Sequence, residues 1–232
     1  MKALFFFLFV FVLLIPSCKK QESNSSAINN KVVTFSEIKG TTVYDQSNRE
    51  TSITGNVVAR DLNIPTPFME LGIVMNGKLD LTFPDVFPEQ ANRFFENVNL
   101  RVPELEISPQ DATWLLFDDS KFFLVFTNED VPDIFDPKVT TKQNYILRLY
   151  DLSGEFEIWL AFFTVDTTVK GNGNFFGYTY DVNINASKGW NVINVKNSPS
   201  STEIKTSVLK TTDIKWVAEK TNTSYGYFYR IP

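Results

Sequence analysis

A protein without histidine has few routes to acid–base or metal chemistry near neutral pH, and this chain has none. The commonest general base, the Ser–His and Cys–His nucleophile pairs and most zinc and copper ligand sets are removed at once. Carboxylates and aromatic rings are left. Asn128, Glu129, Asp130, Asp133 and Asp136 crowd together, with Asp118 and Asp119 close upstream. Calcium takes about six to eight hard oxygen ligands, which clustered carboxylates on a loop can supply. The spacing is not that of an EF-hand, and Val131-Pro132 interrupts it, so a solvated acidic loop competes with a calcium site. Tyr225, Tyr227 and Tyr229 alternate along the C-terminal segment and would share one strand face. Exposed, they could stack on sugar rings; buried, they fill a core or line its rim. Glu104 with Glu106, and Glu155 with Glu157, form same-face carboxylate pairs. A glycosidase needs two such groups about 5–10 Å apart across a cleft, but a wet outer sheet face uses the same spacing. No catalytic residue is assigned, and no cofactor is expected.

Cys18 is the only cysteine. It follows Lys2, an apolar run over residues 3–15, and then Pro16 and Ser17. The run is too short to cross about 30 Å of hydrocarbon as a helix and has the length of a signal-peptide core. A basic start, an apolar centre and a small residue before the cysteine resemble the lipobox of bacterial lipoproteins, although Pro16 departs from the usual pattern. The resemblance implies removal of residues 1–17 and lipidation of Cys18 by a diacylglyceryl group with palmitate-type chains, with a further N-acyl chain possible in such proteins. Each buried CH₂ contributes about 0.8 kcal/mol, and two or more chains hold where one is marginal. An ordinary secretory signal is the competing reading. Residues 18–30 are polar and poor in bulky apolar groups, so a flexible tether is expected there.

Without the signal segment the chain remains acidic, which argues against nucleic-acid binding. Seventeen of the 22 phenylalanines lie after Cys18 and, with eight tyrosines and four tryptophans, suit pleated, half-buried surfaces. Several strand signals recur. Asn76-Gly77 predicts a two-residue hairpin, with Leu79, Leu81 and Phe83 alternating against Lys78, Asp80 and Thr82. Residues 121–127 are a predicted strand whose unbroken apolar centre, Phe122 to Phe126, suits cover on both faces. Ser153-Gly154 separates two further strands. Residues 31–35, 52–59, 99–107, 175–184, 190–195, 203–209, 213–218 and 224–231 are also predicted strands. Residues 40–51 and 128–137 are expected as loops, 170–174 as a turn and 88–98 as a short helix. Ser108-Pro109 reads as a helix start or as the approach to a strand.

Many short strands separated by turns predict an all-β fold, an antiparallel β-sandwich with at most one or two short helices. It divides, by expectation, into residues 31–107 and 108–232, as two β subdomains or one shared core. Lys188, Gly189, Trp190 and Asn191 resemble a "KGWN" turn in uncharacterised envelope lipoproteins of diderm bacteria. Ile53 to Gly55 with the downstream Asn-Gly turn resembles the opening of small β-sandwich modules. The resemblance implies a secreted β-sandwich and carries no catalytic residue. In the KGWN turn Gly189 is expected to take an unusual backbone angle and Trp190 to plug the core edge. The functional expectation is a non-catalytic binding or structural module, held in the bacterial cell envelope by its lipid, with the outer membrane preferred over the inner. Its partner would be another envelope protein or a glycan. A carbohydrate-active protein and a carrier of an apolar ligand are the alternatives.

Overall fold

The computed structural model describes residues 36–64, 66–100, 102–118, 120–133, 137–207 and 211–221. The expected signal segment, Cys18, the tether, the strands at 31–35 and 224–231, Asp119 and Asp136 lie outside the described residues. The structure is β-dominated: β1 (Glu37–Asp45), β2 (Gly55–Asp61), β3 (Met69–Met75), β4 (Lys78–Thr82), β5 (Glu96–Asn97), β6 (Glu106–Ser108), β7 (Thr113–Phe117), β8 (Lys121–Pro132), β9 (Thr140–Asp151), β10 (Glu157–Phe163), β11 (Thr167–Phe175), β12 (Tyr178–Ala186), β13 (Gly189–Ser198), β14 (Ser201–Thr206) and β15 (Ile214–Thr221). Two short 3-10 helices, Glu89–Phe94 and Thr211–Asp213, interrupt them.

The strands do not form the expected pair of facing sheets. They belong to one 15-stranded sheet, within which β1, β4, β3, β2, β8, β9 and β15 close into a ring. The seam is a parallel pairing, Val43 opposite Trp216. Closure arises because β15 pairs on one side with β9 and on the other with β1. A sequence pattern of alternating strands fits a sandwich and a barrel equally well, since both bury one face of each strand. From β9 the sheet continues outward through β10, β13, β14, β12 and β11 to β6. β9 and β10 share only the pair Tyr150 and Glu157, so the extension leaves the ring right after its hairpin.

Local chemistry explains several elements. Asn76 and Gly77 adopt φ of 48° and 73°, the left-handed angles that a two-residue hairpin requires. Leu79, Leu81 and Phe83 are buried. β8 is covered on both faces, Phe123 and Val125 pointing into the barrel and Phe122 and Leu124 into a smaller outer cluster. The helix expected at 88–98 is a six-residue 3-10 helix whose inner residues are Ala91 and Phe94.

Other expectations are corrected. Residues 40–45 belong to β1. Residues 128–132 extend β8 beyond a bulge, with Asp130 opposite Lys142. Residues 170–174 lie inside β11, and the turn falls at Phe176-Gly177 instead. The glycines there serve close packing: a Cβ on Gly171 would lie 2.8 Å from Leu105 Cδ2, and one on Gly173 would lie 2.6 Å from the Tyr180 hydroxyl. That hydroxyl donates to the Pro103 carbonyl at 2.8 Å. β12 and β13 are not direct neighbours, because β14 inserts between them, parallel to one and antiparallel to the other.

Two main cores result. The larger fills the barrel with Val43, Leu79, Leu81, Val57, Phe123, Leu147 and Trp216. The second lies within the extension, around Trp114, Phe163, Val182, Ile184 and Ile193. Each draws on residues from both sides of position 107.

Candidate binding cleft

The two mouths of the barrel differ in chemistry. One is plugged by rings. Trp190 sits with its centroid 5.1 Å from Phe83, 5.8 Å from Phe117, 5.6 Å from Phe162 and 5.9 Å from Phe87. Its indole N–H donates to the Pro84 carbonyl at 2.9 Å. The KGWN segment thus does what its residues suggest: Gly189 has φ of 105° and Trp190 is 1 % exposed.

The other mouth is open and polar. A cleft of about 390 Å³ is lined by Asp45, Arg49, Glu50, Ile53, Tyr145 and Lys220, among others. Strand parity places them. Asp45 follows Val43 on the inward face of β1, Lys220 follows Trp216 and Ala218 on β15, and Tyr145 precedes Leu147 on β9. Side chains that point inward mid-barrel meet the core, whereas the same parity at the rim meets water.

The cleft's outer wall is the connection between β1 and β2, and hydrogen bonds fix it. Asp45 accepts from the backbone N–H groups of Ser47 and Arg49, both at 2.9 Å, and from the Arg49 guanidinium at 2.9 and 2.8 Å. The Arg49 backbone N–H, assisted by its side chain, holds the Asp45 carboxyl below the usual carboxylate range. Thr51 donates from its backbone and its hydroxyl to the Val43 carbonyl. The Asn76-Gly77 turn braces the wall from the other side: Gly77 N donates to Ile53, and Asn76 N to the Thr54 hydroxyl. A Cβ at Gly77 would lie 1.9 Å from the Thr51 carbonyl oxygen, so that turn needs glycine for space as well as for angle.

Tyr145 forms the floor. It is 7 % exposed, and its hydroxyl donates to Glu129 at 3.2 Å. Burial, followed by the Glu129 charge and hydrogen bond, pushes its phenol up to about 12. Next to it along β9, Gln143 accepts from the Thr127 hydroxyl at its carbonyl, and its Nε2 donates to the Asn144 and Thr221 carbonyls. Lys220 carries no ion pair to the described residues and stays exposed on the rim. The arrangement offers donors and acceptors of both charge signs around a solvent-open space.

The acidic candidates are spread rather than gathered. Glu129 accepts from Tyr145, Asp130 pairs with Lys142 at 2.6 Å, and Asp133 is buried with its backbone N–H on the Val139 carbonyl. Among the described residues no three acidic, histidine or cysteine side chains gather as a metal site. Tyr225, Tyr227 and Tyr229 lie outside the described residues. Glu104 and Glu106 are exposed near β6, Glu155 meets Lys196 at 3.4 Å, and Glu157 accepts from the Trp159 indole at 3.2 Å. None of the four lines the cleft. Trp114, Trp190 and Trp216 are buried and Trp159 is half-buried, so these indoles form no exposed platform. Asp45, Tyr145 and Lys220 have no sequence signature, because three distant segments bring them together. No protein-family model, no curated protein and no solved structure matches the chain.

Proposed function

We propose that this is a lipid-anchored protein of the bacterial cell envelope, a non-catalytic binding module that takes a polar ligand at the open mouth of its barrel. The anchor rests on the lipobox-like segment ending at Cys18. The observation that carries the binding reading is the cleft, in which Asp45, Arg49, Glu50 and Lys220 set both charge signs around Tyr145. A ligand carrying hydroxyls together with carboxylate and amine groups matches that rim, and a peptide-bearing envelope glycan has this chemistry. The barrel interior is filled by buried side chains, among them Leu79, Phe123, Leu147 and Trp216. That weighs against an apolar carrier. A polar surface loop of another envelope protein is the second reading, favoured by the openness of the cleft to solvent.

Two measurements test this. Cys18→Ala should shift the protein from the membrane to the soluble fraction, and mass spectrometry of the wild type should find acyl chains on Cys18 and residues 1–17 absent. Persistent membrane fractionation of the variant would point to another mode of attachment. Calorimetric titration with soluble muropeptides should show saturable binding that Lys220→Glu weakens by about tenfold or more, the scale of one lost charge-assisted hydrogen bond. Equal binding by wild type and variant would remove the cleft from the account.

A further inference from the structure

Several of the polar groups around the cleft are already committed within the fold, and those left free define what could enter. Asp45 uses both carboxylate oxygens internally, one on the Ser47 and Arg49 backbone N–H groups and the other on the Arg49 guanidinium. The Tyr145 hydroxyl is taken by Glu129, and the residue is 7 % exposed. Thr51 turns its hydroxyl to the Val43 carbonyl. A sugar ring needs free hydrogen-bonding groups around it and an open aromatic face to stack on. The floor of this cleft offers neither, and Gln46, Ser47 and Ser52 supply neutral polar groups only at its exposed rim.

Charge is what remains. Lys220 has no acidic partner among the described residues. Arg49 places Nε and one terminal nitrogen on Asp45 Oδ2 and keeps its other terminal nitrogen, with two N–H groups, for a further acceptor. Asp45 offsets the Arg49 charge, and Glu50 stands loosely opposed to Lys78 at 4.0 Å. Lys220 therefore leaves an unbalanced positive charge at this mouth, in a chain whose net charge is −5. Strand pairing sets the floor beside it: Lys220 lies opposite Tyr145, and Ala218 lies opposite Asp45. Ala218 is the smallest of the inward residues Ile214, Trp216, Ala218 and Lys220 on β15, and it keeps the floor low. The resulting space of about 390 Å³ is near the small end of ligand sites, about 300–1,000 Å³. It has room for the end of a short peptide and none for a length of polysaccharide.

From these features we propose that the cleft takes a short peptide by its free carboxylate end, held between the Lys220 ammonium on β15 and the outer guanidinium nitrogen of Arg49 on the β1–β2 connection. Glu50 stands at the same rim to receive a peptide amine. The inference rests on the binding reading given above and sharpens it: of a peptide-bearing envelope glycan, the peptide stem enters and the sugar stays outside. A carboxylate accepts at two oxygens, so cations on two different elements can share it, and bonds between ionised partners are stronger than neutral ones. An amide end would leave Lys220 with no charge to meet.

The test uses the full-length protein purified from membranes in detergent and titrated calorimetrically. The ligands are a muropeptide, its stem peptide as the free acid, the same peptide as its C-terminal amide, the disaccharide without peptide, and an all-L peptide of equal charge. The free acid should bind within severalfold of the muropeptide, the amide about tenfold or more weakly, and the disaccharide not measurably. Lys220→Met, a change at an exposed rim position, should shrink the difference between acid and amide severalfold; a merely structural role for Lys220 would weaken both ligands alike. Muropeptide binding with acid and amide equal, or matched by the bare disaccharide, would overturn the peptide-end assignment and leave the cleft as a binding site. Tighter binding of the all-L peptide than of the stem would assign the carboxylate to protein chain ends and overturn the stem. Absence of binding by every ligand would overturn this inference and the binding reading together.

Discussion

Asn76 and Phe176 both take left-handed φ, 48° and 52°, and the contrast between them shows how much one side chain can decide within the same kind of turn. Asn76 lies in a turn that braces the cleft wall; Phe176 lies in one exposed almost completely to solvent. An L-residue in the left-handed region loses roughly 1–2 kcal/mol, less for asparagine. Phe176→Asn should therefore raise the unfolding free energy by about 1 kcal/mol, read from denaturant midpoints at constant slope. A midpoint at or below that of the wild type would mean that the phenylalanine is held by contacts of its own, and the strain argument would fail. Tyr145 shows a different residue-level constraint. Its raised phenol favours the protonated form in the folded state, so its contribution is whole below about 10, the ordinary tyrosine value, and is lost as pH rises toward about 12.

Elements were legible where local chemistry and tertiary demand agree. Asn76-Gly77 needs no neighbours to specify a turn, and the unbroken apolar run from Phe122 to Phe126 demands cover on both faces. Reading failed where composition and packing conflict. Lys170, Gly171, Asn172, Gly173 and Asn174 look like a turn because glycine and asparagine usually mark one. Here Gly171 makes room for Leu105, set by a segment far upstream, and Gly173 for the Tyr180 ring across the hairpin. Asn128 to Pro132 looks like a loop because it is polar and ends in proline, yet the bulge between Phe126 and Asp130 lets it keep pairing with β9 at the sheet's margin. The polar middle of β1 hides in the same way: Thr41 and Thr42 are half-buried and pair with Leu79 and Lys78 of β4. The cleft could not be read at all, since Asp45, Tyr145 and Lys220 become neighbours only when the ring closes.

At the scale of the molecule, one tryptophan joins barrel and extension. Trp190 belongs to β13, but its rings of contact include Phe83 and Phe117, and its N–H is bound by Pro84. Trp190→Ala should destabilise the fold by about 3–5 kcal/mol, as large aromatic truncations in packed cores do. Thermal or denaturant unfolding followed by near-ultraviolet dichroism would measure this, and a loss below about 1 kcal/mol would show that the plug is dispensable.

The parallel seam has a temporal meaning. β1 and β15 are the first and last described strands, and Val43 must find Trp216 for the ring to shut. Contacts so distant along the chain form slowly, because the intervening polypeptide must be ordered before they repay it. Until Ile214–Thr221 is delivered, β1 and β9 each lack a neighbour on that side, and unpaired margins of this kind invite association with other chains. If this chain is threaded through a membrane from its amino end, as the proposed anchor implies, it meets that hazard for nearly the whole of its passage, and that proposal then carries with it a need for shielding on the way.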